Sequence, residues 1–142
     1  MKQKNVLVYG MSVSGEWASR LLKKKKANVF LYDDNAEILN KKKIKNCYVL
    51  NELNENLISQ FDFIVVSPAI EKENKFLLMA KRLKIKIYSE LEFASTFCKK
   101  LVAITGTNGK TTTTKIITAL LQTKYKAIAC GNIGYPLSRA VL

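Results

Sequence analysis

The chain of 142 residues contains no histidine. That excludes a Ser-His or Cys-His nucleophile pair and a histidine general base within it. Cysteine is scarce: Cys47, Cys98 and Cys130 lie far apart, and no Cys-x-x-Cys occurs to start a zinc site. They are expected to be reduced, buried small hydrophobes. Only two residues are proline and 48% are apolar, which argues for a packed globular fold over disorder. No apolar run approaches the roughly 18 residues that a membrane span needs. The apolar run Val6 to Gly10 is too short for a signal-peptide core, so a cytoplasmic protein with no membrane partner is expected. Arginine is rare too, limited to Arg20, Arg82 and Arg139, although 24 basic residues against 11 acidic ones give a net charge of +13. Specific base and phosphate forks favour arginine, and no aromatic stacking positions interleave with the lysines. The runs Lys23–Lys26 and Lys41–Lys43 sit where helices should end, which suits the helix dipole. The charge is therefore read as solvated surface, without a nucleic-acid partner.

What is present is an alternation of short apolar runs and amphipathic stretches. Strands are expected at Val6–Tyr9, Val29–Tyr32, Tyr48–Leu50, Phe63–Val66 and Ile85–Tyr88. Helices are expected at about 15–25, 36–42 and 75–83, and from Ser89 to about Phe97, where Ser89 and Glu92 have the spacing of a capping box. Alternation of this kind indicates a doubly wound parallel sheet with its ligands at the C-terminal ends of the strands. A further strand, Leu101–Thr105, a helix at about Lys110–Gln122 and a strand Ala127–Cys130 open a second α/β unit. The boundary is placed at 98/99, giving domains 1–98 and 99–142, and residues 1–98 are large enough to fold alone.

The strongest chemical signal is Gly106-Thr107-Asn108-Gly109-Lys110-Thr111-Thr112. After a strand and before a helix, this is a phosphate-binding loop. Its backbone N–H groups and the helix N-terminus suit anionic oxygens. Lys110 would reach the β- and γ-phosphates of ATP, and the Thr111 hydroxyl would hold Mg²⁺. The general loop pattern puts its first glycine at 104, where Ile104 stands. The turn Gly10-Met11-Ser12-Val13-Ser14-Gly15, followed by Asp33, has the spacing of a dinucleotide fingerprint with Ser12 in place of the middle glycine. By itself this leaves NAD, another nucleotide-like ligand and a structural turn all open. Ser67-Pro68 after the fourth strand is either a strand stop or part of a ligand edge. Asn132, in Gly131-Asn132-Ile133-Gly134, is either a turn residue or a ligand contact.

These pieces, in this order, resemble the Mur ligases, whose ATP loop is written G-[TS]-N-G-K-[ST]-T and shares the displaced first glycine. Val8–Gly15, Ser67-Pro68 and Gly131–Leu137 are similar to the members that add D-glutamate to UDP-N-acetylmuramoyl-L-alanine. The resemblance implies a Rossmann-like parallel sheet domain for the UDP end of the substrate, followed by the start of a P-loop ATPase α/β domain. It implies a monomeric, ATP- and Mg²⁺-dependent ligase of peptidoglycan synthesis working through an acyl phosphate. Val13 and Ser14 would then lie at the UDP pyrophosphate or uracil edge and Asp33 and Asp34 at the uridine. Ser67, Pro68 and Ala69 would line the same site, with Ala69 where the family usually has glycine, and Asn132 would contact the muramoyl side. The family's second-metal ligands and its D-glutamate-binding domain lie beyond the equivalent of Leu142, so these 142 residues alone are expected to be inactive. The alternatives are a sibling Mur-type ligase or folylpolyglutamate synthase, a non-catalytic dinucleotide-sensing module, and a basic NTPase acting on nucleic acid.

Overall fold

The computed structural model describes residues 3–42, 44–131 and 134–142. Five strands, β1 (Asn5–Tyr9), β2 (Asn28–Tyr32), β3 (Tyr48–Val49), β4 (Phe63–Val66) and β5 (Lys86–Ser89), form one sheet in the order β3-β2-β1-β4-β5. Every pairing is parallel. β1 is central, with Val8 opposite Leu31 of β2 on one side and Val65 of β4 on the other. Its side chains alternate between faces, as a strand requires. Val6 and Val8 enter one core with Ala18, Leu21 and Leu22, whereas Leu7 and Tyr9 enter the other with Ile58, Leu77 and Ala80. Both faces being covered explains why these strands read as unbroken apolar runs.

Helices α1 (Val13–Lys24), α2 (Ala36–Lys41), α3 (Glu55–Ile58), α4 (Lys75–Arg82) and α5 (Glu90–Ser95) connect and cover the strands. Their starts follow from local chemistry. Asn35, Asn54 and Asn74 each accept a backbone N–H of the following helix at 2.9–3.0 Å. Ser89 and Glu92 form a reciprocal capping box, with bonds of 3.1 and 2.7 Å. α1 and α4 end on left-handed residues that are not glycine, Lys26 (φ 62°) and Lys84 (φ 58°). Among α1–α5 the helix that periodicity misses is α3, a single turn with too few residues to show a period.

Beyond α5 the structure departs from expectation. α6 (Lys110–Gln122) forms with the expected bounds, and α7 (Leu137–Ala140) follows. Leu101–Thr105 and Ala127–Cys130, however, are not strands. A parallel strand needs a hydrogen-bonded neighbour and cover on both faces. Neither segment has such a neighbour among the described residues, and Leu101, Val102 and Ile128 stay at least half exposed. α6 buries none of its residues. α7 behaves differently: it packs on α1 and α5, and Leu137 and Ser138 are buried. The three cysteines are free and only partly buried at the edge of the core, less enclosed than expected.

Candidate functional site

In this strand order β2 and β3 are laid down on one side of β1 and β4 and β5 on the other, so the winding switches between β1 and β4, the topological switch point where a crevice opens beyond the strand ends. The turn after β1 sits against the turn after β4. Gly10 takes φ +89°, and a Cβ there would lie 2.7 Å from Ser67 Cβ. A Cβ on Gly15 would lie 1.9 Å from the Gly10 carbonyl oxygen. Both glycines are thus fixed by close approach, one for the turn and one for packing α1 under it.

Ser12, at the place of the middle glycine, has an extended backbone (φ −63°, ψ −177°) that any residue adopts. It precedes α1 but does not cap it. Its hydroxyl is instead shared with the buried Ser67 hydroxyl at 2.7 Å, across the crevice. The first-turn N–H groups of α1, at Val13 and Ser14, are therefore left without a side-chain cap. Such a helix start favours an anion. Val13 is exposed and Ser14 half-buried.

The loop after β2 closes the other side. One oxygen of Asp33 accepts the Met11 N–H at 2.6 Å and the other the Asn35 N–H at 2.9 Å, so this carboxylate ties the two turns together. Asp34 is exposed and accepts the hydroxyl of Tyr9 at 2.7 Å. Burial and the bond to Asp34 push the Tyr9 hydroxyl far above the ordinary tyrosine range. Burial and the same carboxylate also raise Tyr32. Ser67 begins a turn closed by the Ile70 N–H, which leaves Pro68 and Ala69 exposed on the rim. Val13, Ser14, Asp33, Asp34, Ser67, Pro68 and Ala69 thus share one edge of the sheet. A concavity of about 400 Å³ lined by Lys4, Asp62, Lys86 and Tyr88 lies at the opposite ends of the strands, away from these groups.

The loop Gly106–Thr112 leads into α6, where Gly109 adopts the left-handed conformation (φ +75°) just before the helix. Lys110 folds its ammonium back onto the carbonyls of Gly106 (2.5 Å) and Thr107 (3.3 Å). A Cβ on Gly106 would point to Asn108 O at 3.6 Å and Lys110 Cγ at 4.0 Å, into the cradle of the loop. The loop, the ammonium and the uncapped start of a 13-residue helix fit a polyphosphate. No hydrogen bond or ion pair joins this loop to the first unit among the described residues. Asn132 lies outside the described residues.

Sequence reasoning missed Tyr9 and Asn74, whose amide donates to the Tyr9 hydroxyl at 2.8 Å, and also Glu90. Glu90 is a buried carboxylate at the start of α5 that accepts the Ser138 N–H at 2.6 Å. Tyr9 reads as one more apolar strand residue and Asn74 as an ordinary cap. A buried acid at a helix start has no signature beyond its negative charge.

Residues 4–89 match the family described as Mur ligase MurD-like, N-terminal domain. This chain belongs to the MurD-like Mur ligases. In this Mur ligase chain, residues 104–138 also match the Mur ligase middle domain. It is 38% identical to the UDP-N-acetylmuramoylalanine–D-glutamate ligase of Caldicellulosiruptor bescii, over 96% of this chain and 32% of that protein. The protein of the same name from Lachnoclostridium phytofermentans is 39% identical, over 97% of this chain and 32% of its own length. The chain thus spans about a third of the curated relatives it matches. A solved pseudomurein peptide ligase type C from Methanothermus fervidus is 26% identical with a TM-score of 0.53, over 85% of this chain and 26% of that one. No helix among the described residues is long and apolar enough to cross a membrane.

Proposed function

We propose that this chain is part of an ATP-dependent ligase of peptidoglycan precursor synthesis that joins D-glutamate to UDP-N-acetylmuramoyl-L-alanine. The observation that carries the reading is the edge at the switch point. An uncapped helix start at Val13 and Ser14 faces a crevice bridged by the Ser12–Ser67 hydroxyl pair. That pair stands where a dinucleotide fold keeps a glycine for its pyrophosphate, which favours a UDP compound over NAD. Asp33 and Asp34 take the uridine side and Ser67, Pro68 and Ala69 the rim, while Asn132 reaches the muramoyl end. The division into residues 1–98 for UDP and 99–142 for the start of the ATP unit belongs to the same reading, as do a cytoplasmic location and a monomeric state.

In the reaction, the substrate carboxylate takes the γ-phosphoryl group of ATP, and the amine of D-glutamate displaces phosphate from the resulting acyl phosphate. Gly106, Thr107, Asn108 and Gly109 cradle the phosphates with backbone N–H groups, together with Thr112 in the first turn of α6. Lys110 leaves its present carbonyl partners to place positive charge on the transferring group, and the Thr111 hydroxyl holds Mg²⁺. The metal ion, when bound, neutralises the phosphate oxygens. These 142 residues are not expected to turn over on their own. The test is a calorimetric titration of the chain with UDP-N-acetylmuramoyl-L-alanine and, in parallel, NAD⁺. Saturable binding of the first alone supports the reading. Binding of NAD⁺ alone overturns it in favour of a dinucleotide sensor.

A further inference from the structure

Tyr9 ends the central strand and is fully buried. Its ring meets Tyr32 edge-on at 5.3 Å and Phe76 at 6.2 Å, so the side chain has no freedom to turn. Its hydroxyl is therefore fixed at one point beneath the loop after β2, and the bonding there has a fixed sense. Asn74 uses its carbonyl oxygen to accept the Phe76 N–H at 2.9 Å as the cap of α4. The face it turns to Tyr9 must then be the amide nitrogen, a donor, at 2.8 Å. The Tyr9 hydroxyl accepts that bond, so its single proton is committed to Asp34 Oδ2 at 2.7 Å. Asp33 has both oxygens taken by backbone N–H groups, whereas Asp34 is exposed, accepts the Tyr9 hydroxyl and lies near enough to the Tyr32 hydroxyl to raise that group as well. Of the two acids, Asp34 is the one that no backbone N–H ties down among the described residues.

We propose that Tyr9 is a positioning residue for nucleoside recognition: oriented by Asn74, its hydroxyl grips one oxygen of Asp34 and presents the other to an N–H or O–H donor on the nucleoside. The inference rests on the proposed binding of a UDP-linked substrate at the switch point. An exposed aspartate at a loop tip would otherwise sample several rotamers, and fixing it before the ligand arrives removes that ordering from the binding step. A hydrogen bond to a charged group is also stronger and more directional than a neutral one.

The probe is UDP, titrated by calorimetry into the 142-residue chain and into Tyr9→Phe, Asp34→Ala and the double variant. Tyr9→Phe keeps the ring and its packing and removes only the hydroxyl. It is expected to weaken UDP about 5- to 10-fold, within the range for the net contribution of one hydrogen bond. Asp34→Ala is expected to weaken it at least as much, and the double variant no more than Asp34→Ala alone, because Tyr9 has nothing left to position. A merely structural role for the hydroxyl would give losses that add, and that result overturns the proposal. So does unchanged UDP affinity in Tyr9→Phe, with the switch-point site itself left standing. If the parent chain fails to bind UDP, the site reading falls first and the proposal with it. If Tyr9→Phe does not fold, Asn74→Ser decides. It keeps a cap acceptor for α4 on a side chain too short to bring a donor to the Tyr9 hydroxyl, and it must weaken UDP only when Asp34 is present.

Discussion

Replacing Gly15 with alanine sets two effects of opposite sign against each other. Gly15 is the third residue of α1, and alanine in a helix is favoured over glycine by up to about 1 kcal/mol. Propensity alone therefore predicts a more stable protein. The new Cβ, however, would lie 1.9 Å from the Gly10 carbonyl oxygen, inside the 3.0 Å that real contacts keep. Either α1 or the turn must move by about 1.1 Å, the difference between those two distances. The turn has little space to yield toward β4, because even a Cβ on Gly10 would come within 2.7 Å of Ser67 Cβ. Overpacking against backbone costs about 1–3 kcal/mol, and with no flexible side chain to give way the upper half of that range applies. The net expectation is a loss of about 1–2 kcal/mol, a fall of roughly 5–15 °C in melting midpoint for a domain of this size. Moving α1 also separates the Val13 and Ser14 amides from the rim at Ser67, so UDP affinity should fall more than the stability loss explains. Thermal unfolding followed by circular dichroism, with UDP titration well below the midpoint, reads both. A midpoint equal to or above the parent's would refute the close-packing argument.

Lys26→Gly should raise stability by about 0.5–1 kcal/mol, because glycine accepts the left-handed conformation at which Lys26 ends α1; chemical denaturation measures it. Glu90→Ala leaves the buried Ser138 N–H without its acceptor, a cost of about 1–3 kcal/mol, and should speed amide exchange at α7 while β1 stays protected. The bonds from the Ser89 N–H and hydroxyl hold the Glu92 carboxyl below its ordinary 4.5. Its contribution is thus full above pH 4.5 and disappears as pH falls through the lowered folded value, so the stability gap between parent and Glu92→Gln should narrow with acidification. In the ligase of full length, Lys110→Met should abolish substrate-dependent ADP release while leaving UDP binding by the first unit unchanged.

Most of the first unit was legible because its signals are local or periodic. Val6–Tyr9 and Phe63–Val66 are buried on both faces and show it as unbroken apolar runs, and Ser89 with Glu92 carries its own capping chemistry. The gathering of Val13, Asp33 and Ser67 on one edge follows from alternation and right-handed crossovers. Tyr9 was not legible as a site residue. Its role comes from a hydrogen bond across 25 positions to Asp34 and another across 65 to Asn74, which no spacing in the chain announces. Leu101–Thr105 has the composition of a strand but no neighbour to pair with among the described residues, and composition alone does not make a ladder.

The docking of α7 gives the chain an unusual topology. The backbone leaves the first unit after α5, runs through the phosphate loop and α6, and returns to lie on α1 and α5. At its end the Lys24 ammonium meets the Leu142 carbonyl. The phosphate loop therefore hangs on a noose of about 40 residues between α5 and α7, whose two ends are fastened to the same pair of helices. Closing such a noose costs about 3 kcal/mol of chain entropy. In the proposed reaction, a nucleotide at Lys110 would stay tethered to the crevice at Ser67. The Glu90–Ser138 bond would then act as a fastener, and loosening it would lower the local concentration of one proposed substrate at the site of the other.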